Sequence, residues 1–587
     1  MSPFSKYVSK PASQATRITF EPWVFIGQRG KELMRTAALN KGSAFTMRER
    51  EEFDLTALLP PSVNTLDDQV ARARSQFLQL ETPILRNQFM MSMRRQNETL
   101  YFALVAKYLR ETMGIIYTPT QGEAIEKYSH LFREPTGCFL NIHDPDRISH
   151  HLSHWGSAHD IDYIVVTDGE AILGIGDQGV GGVEISVAKL ALMTACGGVH
   201  PDRVIPVVWD VGTDRKEYLE DPLYMGNRHP RIRGKQYEDF VAKFMSVIKK
   251  QYPDSILHLE DFGTANGYSI LSNYQDKLPV WDDDIQGTGM VTLATVRSAL
   301  LAAKQDLKDA KIVIFGAGSA GMGIANQLVE NMIATDGVSA EEAHSNVYLV
   351  DRDGLITSDM ELRPGQGPYA RDPKEFKGSE TKTLLDVVKE VHPTILVGCS
   401  GQAGAFSEEV VKEMASHVER PVILPLSNPT RLHEQTPANL IKWTDGKVLV
   451  ATGSPFEPVD GREISENNNC YTFPGLGFGA VAARATKISK GMLAAASNEL
   501  ATLSPVRHDP TAPLLPPLED IREISAKVAS AVVLQAKKEG LARISELDTI
   551  YGDDPVVIPD EYEERLEWVK SQMWRPEYRR FVRAATF

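Results

Sequence analysis

From about residue 160 onward, short apolar runs alternate with longer segments that have helical periodicity. The first series contains the strands "DYIVVTDG", "VIPVVWDVGT" and "SILHLED" and the helices "ISVAKLALMTACGG" and "YEDFVAKFMSVIKKQY". The second series contains the strands "KIVIF", "NVYLV", "TILVGC", "PVILPLSN" and "VLVATGS". Such alternation is typical of parallel sheets whose strands are joined by crossover helices. The pattern therefore predicts two α/β domains, and we interpret "AILGIGDQG" as a further short strand of the first.

Residues 48–134 lack this alternation and read mostly as helix. The segments "DDQVARARSQFLQL" and "NETLYFALVAKYLRETM" both repeat apolar side chains at a spacing near that of a helical turn. The predicted fold class is therefore a multidomain α/β protein, in which a helical N-terminal domain precedes two parallel-sheet domains, one of them Rossmann-like. A chain of 587 residues requires several domains, because single hydrophobic cores rarely grow beyond ~250–300 residues.

A glycine motif opens the second series. In "KIVIFGAGSAGMGIA", Gly316, Gly318 and Gly321 lie directly between a predicted strand and a predicted helix. Glycines in this setting allow a tight turn and close approach of a pyrophosphate, to which the helix N-terminus offers N–H donors. The next strand ends at Asp351, where a carboxylate can accept a hydrogen bond from a ribose 2′-OH. A plain glycine-rich turn is the alternative, but the context favours a dinucleotide site.

Two acidic segments each follow a predicted strand. They are "HLEDFGTANGY" at 258–268 and "WDDDIQGTG" at 281–289. The carboxyl ends of strands in open α/β sheets converge on ligand clefts, and like charges placed there raise one another's pKa unless a cation holds them. A ligand set of oxygen atoms favours Mg²⁺ or Mn²⁺. Separate helix caps and surface loops are the alternative for any single Asp, but two clusters after two strands favour a metal site.

Two further side chains could take part in proton transfer. Lys189 lies in the otherwise apolar helix "ISVAKLALM", where burial could lower its pKa and make it a base. Its stem could equally reach the surface, and the spacing alone favours that alternative. Tyr117 in "GIIYTPTQGEA" follows an apolar run, but most buried tyrosines only satisfy a hydrogen bond.

The motifs taken together resemble the malic enzyme family. They run in family order from about residue 40 to 580: "NKGSAFT", "LLPPSV", "YTPTQGEA", "VVTDGEAILGIGDQG", "AKLALMTACGG", "DVGTD", "LEDFG", "DDIQGTG", "GAGSAGMGIA", "PLSNPT" and "NNCYTFPGLGFG". The resemblance implies oxidative decarboxylation of L-malate to pyruvate and CO₂, with a nicotinamide cofactor and Mg²⁺ or Mn²⁺. It also implies a homodimer or homotetramer.

The resemblance suggests five segments for the chain. A helical N-terminal domain would cover residues 1–136, and the first part of a substrate and metal domain would cover 137–284. A Rossmann-like NAD-binding domain would follow at 285–469, and 470–544 would complete the substrate domain. Residues 545–587 would form a C-terminal arm, either solvated or gripping another subunit.

Site residues carry over from the family position by position. Glu260, Asp261 and Asp284 would be metal ligands, and Asp283 would orient and tune Lys189. Lys189 would take the hydroxyl proton of malate, and Tyr117 would protonate the enol. Asn428 and Asn469 would donate to a substrate carboxylate. The cofactor-binding residues would be Gly316, Gly318, Gly321, Asp351 and Asn428, with NAD preferred because a carboxylate at Asp351 repels a 2′-phosphate.

Some positions depart from the family. Ala171 stands where the family usually has arginine, and Gln96 stands where members activated by fumarate have arginine, which makes the same activation doubtful. The variants "VEISVAK" and "HLEDFG" also resemble malolactic enzymes, which convert L-malate to L-lactate with retained NAD and also lack the first arginine. A non-catalytic NAD-binding scaffold is a third hypothesis, against which the intact lysine, tyrosine and carboxylates argue.

The amino-acid composition limits which binding partners and which cell compartment the protein can have. A formal net charge of −15 argues against nucleic acid and against an anionic membrane surface. No apolar run approaches the length of a membrane helix. The four scattered cysteines suit a reducing compartment. The first twenty residues contain Lys6, Lys10 and Arg17 and no acidic residue. This composition fits a mitochondrial presequence and equally fits an ordinary N-terminal tail. The predicted location is therefore either the mitochondrial matrix or the cytoplasm.

Overall fold

The computed structural model describes residues 23–363, 365–375, 382–428, 430–543 and 557–584. The possible presequence lies outside these residues, as does the beginning of the predicted C-terminal arm. Within them the predicted fold class is confirmed: a helical N-terminal region is followed by two largely parallel sheets flanked by helices. The domain limits stay predictions.

The N-terminal region consists of one short strand followed by helices. Their bounds are β1 Trp23–Ile26, α1 Gly30–Arg35, α2 Met47–Glu52, α3 Leu66–Leu78, α4 Pro83–Gln96, α5 Glu98–Lys107, α6 Leu109–Ile116, α7 Thr120–Glu126 and α8 Tyr128–Leu131. The segment "NETLYFALVAKYLRETM", whose apolar spacing predicts helix, is divided between α5 and α6. The break falls at Tyr108, whose φ of −129° and ψ of 44° do not continue a helix.

The first sheet has five parallel strands. Its elements are β2 Cys138–Asn141, α9 Ile148–Ser153, β3 Tyr163–Thr167, α10 Val183–Ala195, β4 Val204–Asp210, α11 Lys216–Glu220, α12 Lys235–Gln251, β5 Ile256–Leu259, α13 Thr264–Tyr274, β6 Val280–Asp282 and α14 Thr288–Ala303. The strand order is β2-β4-β3-β5-β6, and every residue of β3 and β4 is buried. Continuous apolar strands are expected where helices cover both faces of a parallel sheet.

The second sheet has seven strands in the order β13-β12-β11-β10-β7-β8-β9. Its elements are β7 Ile312–Phe315, α15 Ser319–Asn331, α16 Ala340–Ser345, β8 Val347–Asp351, β9 Gly354–Leu355, α17 Leu384–Val391, β10 Ile395–Gly398, α18 Glu408–His417, β11 Val422–Pro425, α19 Pro437–Trp443, β12 Leu449–Thr452 and β13 Ser465–Glu466. All pairings are parallel except that of β8 with β9.

The last segment returns to the earlier parts of the chain. It contains α20 Phe473–Ala483, α21 Lys490–Thr502, α22 Ile521–Lys538, α23 Tyr562–Gln572 and β14 Arg580–Arg583. Side chains of α20 and α22 share one hydrophobic cluster with those of α10. Strand β14 pairs in parallel with β1, and the ring of Phe581 lies 5.9 Å from that of Phe45. The described part of the tail therefore contacts the N-terminal region of its own chain.

The interpretation of "AILGIGDQG" as a strand is wrong. This segment is a loop with one isolated bridge between Ile172 and Gly176. Leu173, Gly174 and Gly176 have φ values of 43°, 72° and 82°, which no strand residue adopts. Separately, no helix in the described ranges is both long and apolar enough to cross a membrane.

Candidate active site

The two acidic segments meet at one edge of the first sheet. β5 and β6 are parallel neighbours, with Leu259 paired to Asp282, so the residues that follow both strands lie at the same edge. One ligand oxygen each of Glu260, Asp261 and Asp284 lies within 4.8 Å of the others. The carboxylates therefore converge, as expected from two adjacent parallel strands.

The backbone around these carboxylates is strained. Asp261 has a φ of 53°, in the left-handed region that few residues other than glycine adopt. Its N–H donates to Oδ2 of Asp284 at 2.7 Å, and its own Oδ2 accepts from the N–H of Leu173 at 3.1 Å. Asp283–Gly287 forms a single π-helical turn before α14. Strain held in place by surrounding hydrogen bonds clusters at binding sites.

The charge of this cluster fits a divalent cation. Burial is the main cause that raises the pKa of Glu260 to about 8 and that of Asp284 to about 7, and repulsion from Asp283 acts in the same direction. Burial and the charge of Asp284 also raise the pKa of Asp261 well above its usual range. A cation would hold these groups ionised, and a set of carboxylate oxygens is what Mg²⁺ and Mn²⁺ prefer. The residues present thus fit the metal that the sequence implies.

Lys189 lies inside the cluster, so the alternative that its stem reaches the surface is wrong. Every residue of α10 is buried, because the sheet lies on one side and the C-terminal helices on the other. The ammonium group forms a short ion pair with Asp283 and lies 3.0 Å from Oε1 of Glu260. Burial by itself would lower the pKa of Lys189, but these carboxylates raise it well above its usual value. A lowered pKa is therefore not what this arrangement produces.

Tyr117 and Asn469 border the same cluster. The Tyr117 side chain is buried at the end of α6, and Nζ of Lys189 lies 5.4 Å from its ring centroid. Burial raises the pKa of the Tyr117 phenol, which therefore keeps its proton. Nδ2 of Asn469 donates to the carbonyl oxygen of Asp283 at 3.1 Å and to Oγ1 of Thr288 at 3.2 Å.

The glycine turn has the form that a dinucleotide requires. Gly316 has a φ of +107°, and a Cβ added at Gly321 would overlap the carbonyl of Gly316. Nothing lies within 4 Å of the position that a Cβ on Gly318 would take. The turn thus needs glycine at its first and third positions and leaves open space at the second, beside the N-terminus of α15. The residues fit a bound pyrophosphate.

Asp351 and Asn428 lie at the carboxyl edge of the second sheet. One oxygen of Asp351 forms a short ion pair with Arg363, and the other accepts from the N–H of Arg352 at 2.9 Å. Nδ2 of Asn428 donates to the carbonyl oxygen of Gly453 at 3.1 Å. The carbonyl oxygen of Asn428 lies 3.1 Å from where a Cβ on Gly174 would stand. Asn428 therefore lies where the second sheet meets the loop that contacts the carboxylate cluster.

The sequence did not reveal the groups behind the carboxylates. His258, Tyr163 and Trp281 form a buried hydrogen-bonded row that ends on Glu260, and Arg363 was not foreseen as the partner of Asp351. One signal was available, since His258 precedes Glu260 by two residues and side chains at that spacing share a face of a strand.

The comparisons with known proteins agree on one family. Family models described as "Malic enzyme, N-terminal domain" and "Malic enzyme, NAD binding domain" match residues 94–275 and 285–537. The "NAD-dependent malic enzyme, mitochondrial" of Saccharomyces cerevisiae is 53% identical over 584 residues, which are 98% of this chain and 87% of the relative. "NAD-dependent malic enzyme 3" of Bacillus subtilis is 44% identical over 575 residues, 96% and 98% of the two chains.

A solved structure agrees in fold. The crystal structure of Entamoeba histolytica malic enzyme matches with a TM-score of 0.54 at 22% identity, over 89% of this chain and 90% of that one. At this level of identity the match concerns the fold alone.

Proposed function

This chain belongs to the malic enzyme family, and we propose that it converts L-malate to pyruvate and CO₂ while reducing NAD, with Mg²⁺ or Mn²⁺ bound. The observation that carries the proposal is the contact of one ammonium group, that of Lys189, with both Asp283 and Glu260. This contact places an amine that can transfer protons directly beside the carboxylate cluster. The glycine turn at Gly316 is proposed as the site of the cofactor pyrophosphate, which its open second position supports.

Lys189 is proposed to accept the C2 hydroxyl proton of malate as hydride leaves C2 for the nicotinamide. Asp283 holds the amine in position, and Asn469 anchors the backbone of Asp283. A divalent cation held by Glu260, Asp261 and Asp284 would supply a Lewis acid for the malate oxygens and would offset the carboxylate charge that keeps Lys189 protonated.

Tyr117 is proposed as the acid of the second half of the reaction. Loss of CO₂ leaves an enolate, and the proton that Lys189 took from the C2 hydroxyl must then reach C3 to give pyruvate. The phenol of Tyr117 retains its proton because it is buried, and its ring lies beside the Lys189 ammonium, which can return a proton to it. Asn428 and Asn469 are proposed to donate to a carboxylate of the substrate.

Three finer assignments complete the proposal. The protein is proposed to assemble as a homodimer or homotetramer. It is assigned to the mitochondrial matrix or the cytoplasm, and the name of the yeast relative favours mitochondria. The five segments given from the sequence are retained, and the cluster shared by α10, α20 and α22 supports a substrate domain built from two separate pieces.

The departure from the family sequence at Ala171 supports a second candidate reaction, that of a malolactic enzyme. Ala171 offers no charge to the substrate, and malolactic enzymes share this lack. The test is to incubate the protein with L-malate, Mn²⁺ and NAD and to follow NADH, pyruvate and lactate together. Equal amounts of NADH and pyruvate support the malic enzyme reaction, whereas lactate without NADH supports the malolactic one. Formation of neither would support the non-catalytic scaffold.

A further inference from the structure

Three buried side chains of the first sheet form a hydrogen-bonded row that leads to the carboxylate cluster. Tyr163, His258 and Trp281 belong to the adjacent strands β3, β5 and β6, and His258 is paired with Trp281 in the strand register. Each of the three is completely buried. Nε1 of Trp281 lies 3.1 Å from the Tyr163 hydroxyl, which lies 3.0 Å from Nδ1 of His258. Nε2 of His258 lies 2.8 Å from Oε2 of Glu260.

The donor and acceptor capacities of these groups determine which group donates in each hydrogen bond of the row. The indole nitrogen of Trp281 can only donate, so the hydroxyl oxygen of Tyr163 accepts from it. With a cation bound, Glu260 would be ionised and could only accept, so the proton of a neutral imidazole must then lie on Nε2. Nδ1 of His258 is then an acceptor, and the single O–H of Tyr163 satisfies it. Every donor is used once, and the row ends by donating to Glu260.

Glu260 is thereby held from two sides. Its Oε1 lies 3.0 Å from the ammonium of Lys189, and its Oε2 accepts from His258. Each carboxylate oxygen has two lone pairs, so both can still bind a cation. His258 is also within reach of Asp283, and these two residues with Glu260 could form a metal group of their own. That position already contains a cation, since Lys189 contacts both carboxylates.

We propose that His258, oriented by Tyr163 and Trp281, is a positioning residue that fixes the Glu260 carboxylate for metal binding. The proposal rests on the proposed function, because it takes Glu260 to be a metal ligand. It goes further in assigning a role to the row behind the ligand. Partners that orient a ligand commonly contribute ~10–100-fold to metal affinity.

The test measures Mn²⁺ affinity of the full chain without substrate, by electron paramagnetic resonance of free Mn²⁺. His258→Leu should weaken Mn²⁺ binding ~10–100-fold, because Glu260 loses its oriented donor. Tyr163→Phe, which leaves His258 in place but removes its hydrogen bond, should weaken binding less. His258→Gln, whose amide can donate, should restore part of the affinity. NAD binding, followed by fluorescence, should be unchanged in all three and reports a folded protein.

Glu260→Gln separates this proposal from the assignment on which it rests. If Glu260→Gln weakens Mn²⁺ binding and folded His258→Leu does not, the positioning role is wrong while the metal site stands. If Glu260→Gln leaves the affinity unchanged, the metal assignment itself is wrong. If His258→Leu fails to fold, Tyr163→Phe decides, and an unchanged affinity there overturns the proposal. A histidine nitrogen coupling in the pulsed spectrum of bound Mn²⁺ would also overturn it, since His258 would then be a ligand.

Discussion

The backbone N–H of Asp261 donates a 2.7 Å hydrogen bond to Oδ2 of Asp284, across the edge between β5 and β6. The two residues are far enough apart in sequence that a whole helix, α13, separates them. The hydrogen bond links the backbone of the segment 258–268 to a side chain of the segment 281–289. It therefore holds two of the proposed metal ligands close together.

Removal of the metal or of one ligand should abolish turnover. We expect a chelator to stop NADH formation from malate and Mn²⁺ or Mg²⁺ to restore it. Asp284→Ala should weaken Mn²⁺ binding by ~100-fold or more, because a direct ligand contributes at least as much as its supporting partners. Asp276→Ala is the matched control, since Asp276 pairs with Lys487 at the surface. Full activity in chelator would contradict the metal site.

The proposed roles of Lys189 and Tyr117 can be separated by a partial reaction. Reduction of oxaloacetate by NADH needs proton transfer at the C2 oxygen but no protonation at C3. Lys189→Ala should slow this reduction by ~10²-fold or more, the usual contribution of a general acid or base. Tyr117→Phe should keep it while losing pyruvate formation from malate. Normal oxaloacetate reduction by Lys189→Ala would show that the base is another group.

Asp351 should disfavour NADP by repelling its 2′-phosphate. Arg363 is held by Asp351 in a short ion pair. Asp351→Asn should therefore both remove the repulsion and release an arginine, raising kcat/KM for NADP relative to NAD by ~10-fold, equivalent to ~1.4 kcal/mol. Adding Arg363→Ala to this variant should reverse the gain. A parent enzyme that already prefers NADP would show that Arg352 or Arg363 governs the choice.

Malate should bind weakly because Ala171 leaves the site short of positive charge. The proposed carboxylate ligands outnumber the charge of a divalent cation, and malate adds two negative charges. Arg231 and Arg233, which contact the residue before Ala171, are also paired with Asp168 and Asp214. A bidentate arginine contact would contribute ~3–5 kcal/mol. Its absence corresponds to roughly a hundredfold or more in kcat/KM.

Ala171→Arg tests this charge count. The variant should lower KM for malate several-fold in steady-state assays. A simultaneous rise of released NADH relative to lactate would show that the missing arginine helps to decide between the malic and malolactic reactions. If the parent KM is already low and rises in the variant, another cation serves the substrate, and the charge count is incomplete.

Stability should fall as the pH rises through the range in which Glu98 ionises. Burial and the charge of Asp202 raise the pKa of the Glu98 carboxyl from 4.5 to about 8. The folded chain thus holds this proton more tightly than the unfolded chain, and stability present below pH 4.5 is lost progressively up to about pH 8. Glu98→Gln should remove this loss, so its Tm relative to the parent should be higher at pH 8 than at pH 5.

A surface variant controls for general charge effects on that measurement. Glu123 is exposed and paired with Lys127 within one helical turn. Glu123→Gln removes the same charge from the surface, so the Tm change of Glu98→Gln is compared with it at each pH. A Tm difference between Glu98→Gln and the parent that is the same at pH 5 and pH 8 would contradict a raised pKa at Glu98.

Features that depend on a few neighbouring residues were predictable. Apolar runs of strand length gave two parallel sheets, because burial on both faces requires continuous apolar side chains. The turn at Gly316 was predictable, since a φ of +107° is open to glycine and to few other residues. The acidic segments after β5 and β6 were predictable as neighbours, because parallel strands end at the same edge. "AILGIGDQG" shows the limit, since a run of suitable composition formed a loop.

The sequence by itself thus determined the fold class, the glycine turn and the two acidic segments, whereas tertiary structure decided what surrounds each functional group. Lys189 and Asp283 are 94 residues apart, and spacing along α10 could not show that the helix is covered on every side. The same holds for His258 with Tyr163 and for Arg363 with Asp351. Helix periodicity and glycine geometry are local, but burial and pKa depend on side chains that only the folded chain brings together.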